Sequence, residues 1–418
     1  MKGEFCAALY AIIPNFSVPI PASSPQPPAP EPFGLYVHIP FCARRCPYCD
    51  FAIHIGAKEN FVARYVDALK KELRLVLANA ARDQREFTSI FFGGGTPTFL
   101  REDILASLLE LIFESYPVTR EAEISIEANP ENLSRAKLQA LRDAGFNRLS
   151  LGVQSLDDDA LKFLGRAHRA ADVESGVLLA RELGWENISL DFIYAVPHAS
   201  PAQNQAAWRA SLERSTHLPL QHISCYSLTI EDNTNFGKRA AAGVLLPMCD
   251  DDQAEQMQIA QEILEEAGLL RYEISNYAQP GRESSHNQNY WRGGDYLAAG
   301  CGAHGHLCGV RWWNERDAEK YVARMESADG NLAAARDGEE TLTARERFDE
   351  LVLLGLRTRE GVHLPEVSRK LQLDARGVLK ARLHELIAQN WIEENNEILR
   401  LTPRGLPLAD AVAAKLLS

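Results

Sequence analysis

Three thiols stand close together in His38-Ile-Pro-Phe-Cys42-Ala-Arg-Arg-Cys46-Pro-Tyr-Cys49, spaced C-x₃-C-x₂-C just after the apolar run Leu35-Tyr36-Val37. Three thiolates can hold three irons of a 4Fe–4S cube and leave the fourth iron open to a small molecule. The cluster would supply the redox chemistry, and the protein would supply geometry and exclusion of water. Two other chemistries compete. A structural zinc ion wants four closed ligands, with His38 or His54 as the fourth. A disulfide would strand one of the three thiols, and nothing else in the chain suggests an oxidising compartment.

A second set of residues could meet a ligand beside the thiols. Phe91-Phe92-Gly93-Gly94-Gly95-Thr96-Pro97 lets backbone N–H and C=O groups approach a ligand closely, or makes a tight turn. The dinucleotide pattern G-x-G-x-x-G is absent, so a nicotinamide site is weakly supported. Glu127, Gln154 and Asp191 fall at or near the C-terminal ends of predicted strands, with Arg166 in a following segment. In barrels that end carries the site. Asp191 lies in Ile188-Ser-Leu-Asp-Phe-Ile-Tyr, where a carboxylate needs either an arginine partner or a ligand. Further on, His286-Asn287-Gln288-Asn289-Tyr290-Trp291 joins an imidazole to aromatic rings. Imidazole can be an axial iron ligand, and aromatic rings can pack on a porphyrin face. Alternatively, His286 and Asn287 only fix a loop over the barrel mouth. His304 and His306 are less specific candidates. Cys301 and Cys308 resemble a metal pair in type alone, and Cys225 and Cys249 read as ordinary thiols.

These side chains need a scaffold. Short β-branched or aromatic runs alternate with amphipathic stretches, which predicts βα units and a parallel sheet. The predicted strands are Leu35–His38, Ser89–Phe92, Glu123–Glu127, Arg148–Gly152, Ile188–Tyr194 and His222–Ser227. Phe61, Tyr65, Leu69, Leu73 and Leu77 mark one helix face. Ser134 caps a helix that stops at Gly145, and Val173, Val177 and Leu183 mark another that ends at Gly184. From Thr341 a smaller region opens with a Thr343/Glu346 capping box. Helices around Leu364–Leu371 and Ala375–Gln389 follow, then a hairpin of Trp391–Glu393 and Ile398–Thr402 about Asn395-Asn396, which resembles a winged helix. Its mixed charges do not favour DNA binding, and a packing or lid role fits better.

The chain has 418 residues, 46% hydrophobic and 24% charged, with 44 basic against 57 acidic residues and a net charge of −13. That balance argues against a nonspecific nucleic-acid coat. No apolar run approaches the roughly 20 residues of a membrane-spanning helix. Residues 1–32 are Pro-rich and predict a disordered extension. A signal peptide over Cys6–Ile13 is the rival reading, opposed by Glu4 and the shortness of the run.

From Phe33 to the C-terminus the chain resembles the radical-SAM branch that contains oxygen-independent coproporphyrinogen III dehydrogenase and the HemW family of haem chaperones. The resemblance rests on Tyr36, the H-I-P-F-C-x₃-C-x-Y-C loop, G-G-G-T-P, Glu127 in I-E-A-N-P, Gln154 in G-V-Q-S, Arg166 in G-R-x-H and Asp191 in D-x-I-Y. It implies an α/β fold, a partial (β/α)6 barrel over 33–270. A connecting segment would follow over 271–340 and a winged-helix-like domain over 341–418. It implies that Cys42, Cys46 and Cys49 hold a 4Fe–4S cluster whose open iron takes S-adenosylmethionine. In that family an electron from the cluster breaks a sulfonium C–S bond to release a 5′-deoxyadenosyl radical. Tyr36, Tyr48, Gly94, Gly95 and Thr96 match positions near the methionyl and adenine parts of S-adenosylmethionine. Glu127, Gln154, Arg166 and Asp191 match further contacts, some of which belong to a second S-adenosylmethionine in the dehydrogenase.

Two features separate the branches. The dehydrogenase has a fourth Cys two residues after the third, where this chain has Phe51. The H-N-x-x-Y-W string of His286, Asn287, Tyr290 and Trp291 is typical of the HemW branch and linked there to haem binding. The resemblance thus implies a cytoplasmic haem chaperone. Its partners would be haem, an acceptor protein and an electron donor for the cluster. The rivals are the dehydrogenase, which converts two propionates to vinyls, and a zinc-stabilised interaction protein.

Overall fold

The computed structural model describes residues 31–80 and 84–418. All but the last two residues of the Pro-rich stretch 1–32 lie outside the described residues, and with them the expected extension and its signal-peptide rival. Six strands succeed one another in both sequence and space. They are β1 (Phe33–Ile39), β2 (Phe87–Gly94), β3 (Val118–Ala128), β4 (Arg148–Gln154), β5 (Ile188–Tyr194) and β6 (His222–Ser227). Each contains a predicted run, and every neighbouring pair is parallel. Helices α1 (Glu59–Ala80), α2 (Glu102–Ser115), α3 (Arg135–Ala144), α4 (Ala170–Glu182) and α5 (Pro201–Thr216) lie on the crossovers. On the predicted stripe of α1, Tyr65, Leu69, Leu73 and Leu77 are fully buried and Phe61 is half-buried against the same core. Ser134 Oγ accepts the Lys137 N–H at 3.2 Å, and α3 ends on Gly145 at φ 113°, a left-handed conformation that suits glycine.

The strands carry two unlike faces. Leu35, Val37, Ile90, Phe92, Ile126, Leu149, Leu151, Leu190 and Ile223 are buried in the apolar core. The opposite face holds Ser89, Glu123, Ser125, Arg148, Ser150, Ser189, His222 and Ser224, all buried. A filled barrel packs branched aliphatic side chains into this space. Here small hydroxyl side chains leave it hollow and polar.

Residues 271–340, expected as a connecting segment, instead extend the sheet to twelve strands. Helix α6 (Asp250–Glu266) leads into β7 (Leu270–Arg271) and β8 (Asn276–Ala278), which add to the β6 edge. β9 (Asp295–Ala299) pairs parallel with β1, and β10 (His304–Leu307), β11 (Val310–Asn314) and β12 (Arg336–Thr341) continue antiparallel. Their runs are short and interrupted by glycine, so periodicity alone does not show that they join the β1 edge.

The C-terminal region has its own core, built on α8 (Ala344–Leu356), α9 (Leu364–Leu371), α10 (Ala375–Ala388) and α11 (Ala409–Leu417). The capping box is formed: the Thr343 N–H donates to Glu346 Oε2 at 2.7 Å, and the Glu346 N–H donates to Thr343 Oγ1 at 3.2 Å. Its three-stranded sheet contains β13 (Val362–His363), β14 (Ile392–Asn395) and β15 (Ile398–Leu401). The turn falls one residue later than expected, at Asn396 and Glu397 with φ of 51° and 61°. Two positive φ values give a tight hairpin whose twist matches the strands.

Candidate functional site

All six parallel strands contribute to one cavity of about 710 Å³, with Tyr36, Phe91, Glu127, Ser150, Asp191 and Tyr226 each supplying a wall. A cavity reached by side chains from every strand requires the sheet to curve around it, which makes this an open barrel. The volume falls in the roughly 300–1,000 Å³ range of small-molecule and cofactor sites.

The cysteine loop follows β1 at the C-terminal end of the barrel. Cys42, Cys46 and Cys49 are unpaired and half-buried. Burial pushes the Cys42 thiol up to about 11, with the neighbouring Cys49 and Cys46 adding to the rise. Cys42 Sγ lies 3.6 Å from Thr96 Oγ1, and Arg166 Nη1 donates to Cys46 Sγ at 3.5 Å. Arg166 also donates to Asn129 Oδ1 at 2.5 Å and to the Gly152 carbonyl at 2.7 Å, while Asn129 Nδ2 donates to Thr96 Oγ1 at 3.0 Å. A guanidinium with this many fixed acceptors is locked in place, next to a sulfur. Among the described residues, no three His, Cys, Asp or Glu side chains gather closely enough to hold a single metal ion. In a cube each thiolate meets its own iron, so the sulfurs stand further apart than around one zinc. Neither expected fourth zinc ligand is poised: both His38 ring nitrogens are bonded, to Tyr36 and the Ala52 carbonyl, and the His54 ring packs on Phe61 at 4.6 Å.

Above the strands, the Gly94 N–H donates to Glu127 Oε2 at 3.0 Å. Gly94 has φ 114°, and a Cβ there would collide with the His38 ring, so the position requires glycine. The next N–H groups are spent on the loop itself: Gly95 donates to Ile39 O at 2.8 Å and Thr96 to Phe41 O at 2.9 Å. Burial pushes Glu127 up to about 7, with the Asp191 charge adding to the rise. Burial also raises Asp191, against hydrogen bonds donated by Ser224 at 2.8 Å and Ser150 at 2.9 Å. Serines, not an arginine, hydrogen-bond Asp191, while the Arg148 charge acts on it from the same cavity. Two acidic groups with raised proton affinity face one cavity, which favours a cationic ligand that would stabilise their charged forms.

The other expected residues are less direct. Gln154 sits on a register shift between β4 and β5 with φ 66°. Tyr48 bonds Cys46 and packs 6.4 Å from the Phe236 ring. Neither lines the cavity, whereas Tyr36, Gly94, Glu127 and Asp191 do.

The H-N-x-x-Y-W string forms α7 (Ser285–Trp291). It does not cover the mouth. It plugs the opposite end, where the strands begin. Glu123, near the start of the buried part of β3, accepts from the Ser285 N–H at 3.1 Å and the His286 N–H at 3.3 Å, capping the helix. His286 Nδ1 is 2.8 Å from Ser89 Oγ, and Nε2 is 2.7 Å from the Tyr290 hydroxyl. A neutral imidazole has one donor and one lone pair, and both are engaged. His286 is therefore a buried structural relay here, and a bond to iron would first have to displace the Ser89 or the Tyr290 hydroxyl. Burial pushes it down to about 3, with Arg148 adding to the fall. His286, Asn287 and Tyr290 still reach the cavity. Trp291 faces the C-terminal region instead, under the Arg357 guanidinium at 5.4 Å.

Cys301 is buried against Tyr65, and Cys308 lies exposed beside Asp295, so the two do not form a pair. His306 Nδ1 bonds the Gly294 carbonyl at 3.1 Å and lies 3.3 Å from Asp295. The sequence reading missed Phe91, Ser150, Ser224 and Tyr226 as cavity walls, Asn129 as the link between Thr96 and Arg166, and Arg148. A signal existed: Ser150 and Ser224 alternate with apolar residues in strands flanking Asp191.

A model of the radical SAM superfamily matches residues 36–206, and a model of the HemN C-terminal domain matches residues 342–408. The haem chaperone HemW of Bacillus subtilis is 35% identical over 90% of this chain and 97% of its own. The haem chaperone HemW of Mycobacterium tuberculosis is 34% identical over 96% of this chain and 98% of its own. Among solved structures, coproporphyrinogen III oxidase (HemN) from Escherichia coli superposes with a TM-score of 0.79 at 22% identity, over 93% of this chain and 90% of that one. At that identity the likeness shows the fold alone.

Proposed function

The chain belongs to the HemW haem chaperone family, and from that premise we propose that it binds haem, a 4Fe–4S cluster and S-adenosylmethionine and passes the haem to an acceptor protein. The observation that carries this reading is the near full-length match to haem chaperones, at 35% identity over 97% of the relative's length. Cys42, Cys46 and Cys49 are the thiols that would hold the cluster, and their donor set fits it: three free, half-buried sulfurs with no fourth Cys in the loop. When bound, the cluster would supply an electron to S-adenosylmethionine. Thr96 and Arg166 bond two of the thiols and so fix the loop from the barrel side. Gly94, Glu127 and Asp191 offer backbone and carboxylate groups to a ligand that carries a sulfonium and an ammonium, with Tyr36 as aromatic wall. Tyr48, Gly95, Gln154 and Arg166 would hold the ligand indirectly, by shaping the loops at the mouth.

Haem would use the same barrel cavity, against Tyr290 and Asn287, with the region 341–418 as packing or lid module. The acceptor protein and an electron donor for the cluster are part of the proposal, as is a cytoplasmic location. No helix among the described residues is long and apolar enough to cross a membrane.

The test is anaerobic purification with iron and sulfide quantification and a haem titration. A parallel incubation supplies coproporphyrinogen, S-adenosylmethionine and reductant. The proposal expects a shifted Soret band, iron and sulfide near a single cluster, and no protoporphyrinogen above a cluster-free control. Several turnovers of product would replace it with the dehydrogenase reading.

A further inference from the structure

We propose that His304 is the axial donor to an iron porphyrin in the barrel cavity, with Trp313 as the aromatic wall beside it. This rests on the haem-binding reading above and names the residue that would ligate the iron. Three histidines line the cavity: His38, His286 and His304. His38 Nε2 donates to the Ala52 carbonyl at 2.8 Å, which leaves Nδ1 to accept from the Tyr36 hydroxyl at 3.1 Å. His286 is held between Ser89 and Tyr290. Neither ring has a lone pair to give without breaking a buried hydrogen bond.

His304 differs on each count. It is exposed, and neither ring nitrogen has a hydrogen-bond partner among the described residues. It opens β10 directly opposite Trp313 in the β10–β11 register, and the two rings stack at 6.3 Å with an interplanar angle of 27°. The strand therefore fixes where the imidazole stands, and Trp313 presents an indole surface on the same wall. Arg316 lies on that wall too, paired with Asp50 at 3.2 Å and 60% exposed, a rim cation within the reach of carboxylates. An open imidazole, an aromatic plane and a rim guanidinium together suit an iron complex of a flat aromatic ring with anionic side arms.

Ferric protoporphyrin IX titrated into the anaerobically purified full-length protein tests this, read by Soret absorption and electron paramagnetic resonance. His304→Ala should weaken affinity at least about tenfold and change the ligand-field signature. In His304→Gly, added imidazole should restore the wild-type spectrum, which a purely structural role would not allow. A wild-type spectrum and affinity in His304→Ala, or failure of imidazole to rescue His304→Gly, would overturn the assignment and leave the haem-binding reading standing. A wild-type protein that gives no Soret shift would overturn both.

Discussion

Glu127, one of two carboxylates facing the cavity, makes a pH-dependent contribution to stability that Glu127→Gln should remove. Glu127 ionises near 4.5 in an unfolded chain and is pushed up to about 7 here, first by burial and then by Asp191. A folded-state value above the unfolded one means that its contribution is fully present below pH 4.5 and is lost as pH rises through about 7. At 1.36 kcal/mol per unit the full shift corresponds to about 3 kcal/mol. The side chain is half-buried and faces a cavity open to water, so roughly 1–2 kcal/mol is the reasoned loss. Glutamine keeps an oxygen to accept the Gly94 N–H but cannot ionise. Urea unfolding of the cluster-free protein and the variant, at pH 4.5 and pH 8, measures the effect as a double difference. Glu72 and Glu273, each also pushed up to about 7 by burial, titrate in both proteins and cancel. Glu127→Gln should gain roughly 1–2 kcal/mol relative to wild type on going to pH 8. A difference independent of pH, or one of opposite sign, would refute the argument.

The triple variant Cys42→Ser, Cys46→Ser, Cys49→Ser should carry neither iron nor sulfide after anaerobic reconstitution; a full complement of both would end the cluster assignment. Gly94→Val places a branched side chain at φ 114° and against the His38 ring, so S-adenosylmethionine binding by calorimetry should fall together with stability. Unchanged binding would mean that the loop is only a turn. His286→Ala removes the partner of both the Ser89 and Tyr290 hydroxyls and empties buried volume, which should cost about 2–4 kcal/mol in denaturant unfolding. An unchanged unfolding midpoint would show that the relay contributes nothing.

The thiol spacing, the six barrel strands and the C-terminal capping box were all legible because each is local. A strand is read from a run of a few residues, and a capping box from residues three apart. The loop chemistry of Cys42, Cys46 and Cys49 likewise lies within eight consecutive positions of the chain. What the chain order could not show is which residues meet across it. Open-barrel curvature depends on six strands sharing one cavity, and nothing in the period of a strand distinguishes a curved sheet from a flat one. The strands β9–β12 build on the β1 edge through pairings far apart in sequence, such as Leu35 with Leu297. The role of His286 turned on long-range partners too. Its type and its aromatic neighbours suggest an iron ligand, but Ser89, almost two hundred residues earlier, takes one ring nitrogen, and Glu123 fixes the helix at the barrel floor. Residue types and spacing determine what chemistry a side chain can do; whether its lone pair is free is decided by neighbours that only the folded chain brings within hydrogen-bond distance.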